Sequence, residues 1–150
     1  MPALDSITPG TAEPDLLPFS LNRLMAAWNA RLAARLEERG VTFPQWRVLM
    51  VASRAEGALT IVELAERTLV PHSTLSRQVA AMERAGLVRR EPSEDDARAV
   101  RVVLTPTGRA RYREILPLAL DETEQGLSPL TEPERKTLAR LVARLSDATP

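Results

Sequence analysis

With 150 residues, 44% of them hydrophobic and 27% charged, the chain has the make-up of an ordinary folded protein and the length for one compact unit around a single core. It has no cysteine and one histidine, His72, which excludes disulfides, thiolate metal sites and cysteine redox chemistry and argues against an all-protein zinc site. There is no signal-peptide pattern and no apolar run of the ~18 to 20 residues that span a bilayer, so a cytoplasmic, reducing compartment with no membrane partner is expected, and no cofactor site is legible.

Net charge is zero, but the average hides a basic segment: residues 71–113 hold nine arginines against five acids.

Residues 1–14 contain three prolines and little periodicity, and read as a mobile arm. A first amphipathic helix is expected from Pro18 to a cap at Gly40, with Leu17, Leu21, Leu24, Met25, Trp28, Leu32 and Leu36 at helical spacing. Thr42 with Gln45 has capping-box spacing and opens a second helix carrying Trp46, Val48, Leu49 and Val51 inward and ended by Gly57. Thr60 with Glu63 repeats the box and opens a short third helix to about Thr68, with Ile61, Leu64 and Ala65 inward.

The fourth helix is predicted over residues 73–85, stopped by Gly86. Its buried stripe is Leu75, Val79 and Met82, which leaves Thr74, Arg77, Gln78 and Ala81 on the opposite side. Residues 87–91 and 100–104 suit two short strands joined by a polar turn. Thr105 caps a fifth helix that begins at Pro106 and should kink at Pro117, with a break at Gly126 and Pro129. A third capping box, Thr131 with Glu134, opens a last helix with Leu138, Leu141, Val142 and Leu145 inward.

The order is mostly α with a small β-hairpin: six helices, of which the third and fourth with the hairpin form a winged helix-turn-helix. The first and last helices carry apolar stripes that this winged unit does not need, and exposing both would leave an apolar surface larger than a monomer tolerates, so they are expected to pair across a two-fold axis.

Two motifs now bear on family. Asp96, Arg98, Leu104, Thr105 and Gly108 form an Asp-x-Arg followed, six residues after the arginine, by Leu-Thr-x-x-Gly. Upstream lie a Leu-Thr, a Glu-Leu-Ala, a Ser-Thr-x-Ser-Arg and a Glu-x-x-Gly-Leu-Val-x-Arg, all within residues 59–90. In both the chain resembles the MarR family of winged-helix bacterial transcription regulators, from about Leu16 to its end. Met82 stands where that family commonly has leucine, and Pro117 is less usual in its long fifth helix.

The resemblance implies a homodimer that reads pseudo-palindromic double-stranded DNA, with residues 41–108 as the DNA-binding domain and residues 15–40 and 109–150 as the dimerisation region. Repression is the family's commoner mode. In the major groove, Thr74, Arg77 and Gln78 are the candidate base readers, with arginine suited to guanine and glutamine to adenine. His72 and Ser73 lie at the helix start near phosphates or base edges, and Ser73 reads equally as an N-cap. On the wing, Arg98 is the candidate for the minor groove, and Asp96 would hold it by a charge-assisted hydrogen bond. Arg89, Arg90 and Arg101 fit phosphate contacts or an ordinary solvated hairpin, and Glu94 and Asp95 have no firm role. Family members bind small aromatic or phenolic effectors in a cleft between the dimer helices and the winged domain, which makes Trp28, Trp46 and Arg113 candidate liners beside their alternative as core or interface residues.

An enzyme is not expected: there is no nucleophile–base spacing or glycine-rich phosphate loop, and His72 would have to act as sole general base. The alternative to a DNA reader is a winged helix that mediates protein contacts, against which the register of Arg98 with Asp96 counts.

Overall fold

The structure is a computed structural model that describes residues 16–93 and 100–148. The arm expected over residues 1–14 lies outside them. The described elements are α1 (Leu17–Glu37), α2 (Phe43–Arg54), β1 (Leu59–Thr60), α3 (Ile61–Thr68), α4 (His72–Arg84), β2 (Val88–Pro92), β3 (Val100–Leu104), α5 (Pro106–Leu127) and α6 (Glu132–Asp147).

The helix starts follow from local chemistry. Thr42 accepts the Gln45 amide at 3.3 Å while the Gln45 side chain accepts the Thr42 amide at 3.1 Å. Thr60 and Glu63 do the same at 3.2 and 2.8 Å, and the Glu134 carboxylate accepts the Thr131 amide at 2.7 Å. Each box satisfies amides that a helix N-terminus otherwise leaves open. At the other ends Gly40 and Gly86 take positive φ of 69° and 72°, a conformation that glycine adopts without strain.

Helix α4 departs from expectation at its start. It begins at His72 with Pro71 as N-cap and no side-chain cap, so Ser73 is its second residue and not its cap. Helix α2 stops at Arg54, three residues before Gly57. Helix α5 runs as one element through Pro117 and on past Gly126, which sits in its last turn instead of breaking it. The reason for that glycine is tertiary: a Cβ there would lie 2.3 Å from the Trp28 ring.

The sheet has three antiparallel strands in the order β1–β3–β2, with Leu59 opposite Val102, and Val88 opposite Leu104. The expected hairpin is therefore joined by a third strand. Strand β1 has two residues, too few to show alternation, and its Thr60 doubles as the cap of α3.

Two apolar clusters organise the chain. One gathers Val48, Leu49 and Ala52 of α2, Leu64 of α3, Leu75, Val79 and Met82 of α4, and Leu59, Val88, Val102 and Leu104 of the sheet. The other joins Leu36 and Trp46 to Ile115 and Ala119 of α5, and Tyr112 packs against both. Beyond this second cluster α1 is bracketed to α5 by polar contacts. The Trp28 indole donates to the Glu122 carbonyl at 3.2 Å, Arg31 lies 2.6 Å from the Glu122 carboxylate, and Arg35 reaches Glu122 at 3.0 Å and Asp121 at 2.7 Å. Glu122 is 2% exposed, a burial that a carboxylate tolerates when paired in this way. Its hydrogen bond to Arg35 raises the guanidinium pKa.

Helix α6 does not turn its stripe inward within the single chain. Leu138, Leu141, Val142 and Leu145 are 39–62% exposed, and no residue of α6 is buried. On the first half of α1, Leu17, Phe19, Leu21, Leu24 and Met25 are 43–55% exposed. Helical periodicity identifies an apolar face; it does not say which body covers it.

Gly108 fixes the start of α5. A Cβ there would fall 1.9 Å from the Leu87 carbonyl oxygen, which is backbone and cannot swing aside. Gly108→Ala is expected to cost about 1–3 kcal/mol of stability by urea unfolding, the usual price of overpacking.

Glu63 and Glu134 are held below the ordinary carboxylate value of 4.5, first by the backbone amides of Thr60 and Thr131 and then by their hydroxyls. The unfolded chain then binds more protons just below that value. The capping contribution is complete above about pH 4.5 and lost as pH falls through the lower folded values. Thermal melts of Glu63→Gln are expected to lose less on acidification below pH 4.5 than those of the wild type.

Candidate nucleic-acid interface

Helix α4 is amphipathic in the sense that matters for a groove. Leu75, Val79 and Met82 are 0–1% exposed, and a 3.6-residue period turns Ser73 and Arg77 to the opposite side. His72, Ser73 and Arg77 are exposed, with Thr74 half-buried beside them. Arg77 makes no hydrogen bond or ion pair with another described residue, so its guanidinium is free to meet an external acceptor.

Gln78 sits on the flank, half-buried beside the start of α2. Its side-chain oxygen accepts the Thr42 hydroxyl at 3.4 Å. Thr42 Oγ1 already accepts the Gln45 amide, so its own proton is the one left to give. Bidentate adenine reading needs both ends of a glutamine amide; with one lone pair of the oxygen turned to Thr42, its second lone pair and the NH2 are left for that.

The turn before α4 is held by a residue that the sequence does not flag. Arg47 of α2 lies 4.6 Å from the centre of the Phe43 ring and donates to the Thr68 carbonyl at 2.7 Å, at the C-terminus of α3 where a cation is favoured. Burial lowers its pKa. The next residue, Leu69, turns the chain at φ 54° and is 78% exposed. One arginine on a helix has no periodic signature, and nothing local to residue 47 points to residue 68.

On the wing the described arginines have protein partners. Arg89 pairs with Glu91 at 2.9 Å on the same strand. Arg90 donates Nε to Glu83 at 2.7 Å with Nη2 at 2.6 Å, and its backbone amide donates to the same carboxylate at 3.1 Å. Arg101 gives two hydrogen bonds, 2.8 and 3.3 Å, to the Ala58 carbonyl ahead of β1. Asp96 and Arg98, with Glu94 and Asp95, lie outside the described residues.

The candidate effector liners are dispersed. Trp46 is 4% exposed and stacked on Tyr112, with ring centres 5.7 Å apart and 14° between planes. Trp28 lies flat against Gly126 at the far end of α5, and Arg113 is exposed between them in sequence. An open groove of about 380 Å³ lies elsewhere, lined by Leu130, Pro133, Glu134, Thr137, Leu138 and Leu141.

A short three-stranded sheet behind a helix-turn-helix, with an arginine-bearing helix face turned outward, defines a winged-helix DNA-binding protein. Comparison with known proteins narrows the class. The family model described as MarR family matches residues 39–99. A MarR-family regulator from Silicibacter pomeroyi superimposes with a TM-score of 0.75 at 34% identity, over 89% of this chain and 90% of that one. The transcriptional repressor MdtR of Bacillus subtilis is 27% identical over 88% of this chain and 84% of its own length. BpsR of Bordetella bronchiseptica, whose DNA binding is regulated by 6-hydroxynicotinic acid, superimposes with a TM-score of 0.69 at 26% identity, over 85% of this chain and 98% of that one. The chain belongs to the MarR family, and it is a DNA-binding transcriptional regulator.

The engagement of Arg101 makes a prediction against its reading as a phosphate ligand. Arg101→Met is expected to lower the melting temperature by releasing the strap between β3 and the loop before β1, and to leave the salt dependence of DNA binding unchanged in a fluorescence titration.

Proposed function

We propose that the protein is a homodimeric, ligand-responsive repressor that reads a pseudo-palindromic operator. The observation that carries this reading is the outward face of α4, where Arg77 stands uncommitted beside His72, Ser73 and Thr74. Arg77 suits guanine by two parallel hydrogen bonds, and Gln78 supplies one donor from the flank. Arg98 reaches into the adjacent minor groove and Asp96 steadies it; Arg89, Arg90 and Arg101 flank the ribbon, the first two paired with carboxylates and the third bonded to a carbonyl.

Residues 41–108 form the reading domain, and residues 15–40 with 109–150 hold two copies together. The exposed apolar residues of α1 and α6 support that division, since a face of this kind is expected to be covered by the same face of a second copy. The effector belongs to the small aromatic acids, by analogy with BpsR and its 6-hydroxynicotinic acid. Trp28 and Arg113 remain candidate contacts for it. Trp46 would act from the core, through Tyr112. The working compartment is the bacterial cytoplasm.

Selection of bound sequences from random DNA is expected to enrich a palindrome whose half-sites lie about 34–36 Å apart, one helical turn. Recovery of no common sequence would refute the reading. Arg77→Ala should lose about tenfold or more in affinity and relax the preference at one base position, in line with the ~1–3 kcal/mol of a bidentate arginine–guanine pair. Arg98→Ala should weaken binding with the melting temperature held. Light scattering at micromolar concentration should return twice the 16.5 kDa chain mass.

A further inference from the structure

Glu83 is an acid on the DNA-reading helix, in a segment otherwise rich in arginine. We propose that it is a positioning residue for the wing: by holding Arg90 it fixes strand β2 against the last turn of α4, and so sets where the ribbon lies on DNA. The inference rests on the reading of α4 and the wing as the DNA interface.

The geometry is specific. One carboxylate oxygen takes both Arg90 donors, Nε at 2.7 Å and Nη2 at 2.6 Å, and the other takes the Arg90 backbone amide at 3.1 Å. Strand β2 is an edge strand, since the order is β1–β3–β2, and its outward amides have no strand to pair with. Glu83 supplies the missing acceptor. The corner below is tied by the Leu87 amide to the Met82 carbonyl at 2.9 Å and by the Thr105 hydroxyl to the Gly86 carbonyl at 2.5 Å. The Glu83–Arg90 contact adds an attachment three residues further along the strand, so that β2 is held to α4 away from the corner as well as at it. The Glu83 carboxyl is held below its usual range, first by the Arg90 side chain and then by the Arg90 amide, so the contact is charged at neutral pH.

This role predicts the opposite sign from simple electrostatics. Removing a negative charge from a DNA-binding surface should tighten binding if only charge counts. If Glu83 positions the wing, Glu83→Gln should weaken operator binding about tenfold, the size of one charge-assisted hydrogen bond. The loss should vanish when the same change is made in an Arg90→Gln background, because the two residues act as one unit. Hydroxyl-radical footprints should lose protection at the flanking minor groove and keep the central half-site pattern. Circular dichroism on each variant confirms that the fold is retained.

Tighter or unchanged binding by Glu83→Gln overturns the proposal, as does an equal loss in the Arg90→Gln background or an intact flanking footprint. The control is Arg77→Ala: if that variant binds like wild type, the reading of α4 itself has failed and the positioning role falls with it. If Arg77→Ala is impaired and Glu83→Gln is not, the positioning role alone is refuted.

Discussion

Three elements meet at residues 86–87, and the arrangement of the winged half of the molecule depends on how they join. The Gly86 carbonyl, at the end of α4, accepts the Thr105 hydroxyl at 2.5 Å, and the Leu87 carbonyl, at the start of the wing, accepts the Thr105 amide at 3.1 Å. The same hydroxyl accepts the Gly108 amide at 3.0 Å and so opens α5, while the bare Cα of Gly108 lies against the Leu87 carbonyl. Recognition helix, wing and connecting helix are thus bonded at one corner. A rigid movement of α5 must carry the other two with it, because a close-packed joint of backbone groups does not deform gradually.

That corner is one end of α5. The other end is held to α1 by the Trp28–Gly126 contact and the arginine cluster on Glu122. Helix α5 therefore spans from the wing base to the second half of α1, which adjoins the segment whose apolar residues are exposed. In a dimer built on α1 and α6, a change in the helix packing would reach α4 and the wing through the same rod.

Charge in the basic segment is arranged more sparingly than its composition suggests. Nine arginines against five acids over residues 71–113 would describe a uniformly cationic surface. In the structure Arg90 is bound to Glu83, Arg89 to Glu91 and Arg101 to the Ala58 carbonyl. Arg77 remains uncommitted on the outward face of α4 among the described residues. Acids thus hold Arg89 and Arg90 for structural work, while Arg77, opposite the buried stripe of α4, is left without a protein partner among the described residues.

Much of this was legible from the chain because it is local. Capping boxes at Thr42, Thr60 and Thr131 act over three residues, and the stripe Leu75, Val79 and Met82 records a helical period with one buried face, so the helices and the outward placement of Arg77 could be read directly. Short range also explains the misses. Two-residue β1 shows no alternation, Pro71 replaced an expected Ser73 cap, and the reason for Gly126 lies on Trp28, nearly a hundred residues away. The sequence by itself determined the threonine-capped starts of α2, α3, α5 and α6, the winged helix-turn-helix order and the face of α4 turned outward, because each depends on neighbours within a turn or two. Only the tertiary structure decided which arginines are committed, that Gln78 is tied to Thr42, and that the apolar residues of α6 lie on the surface of the single chain. Those outcomes depend on partners far apart along the chain, and residue type and spacing carry no record of which distant group a side chain will meet.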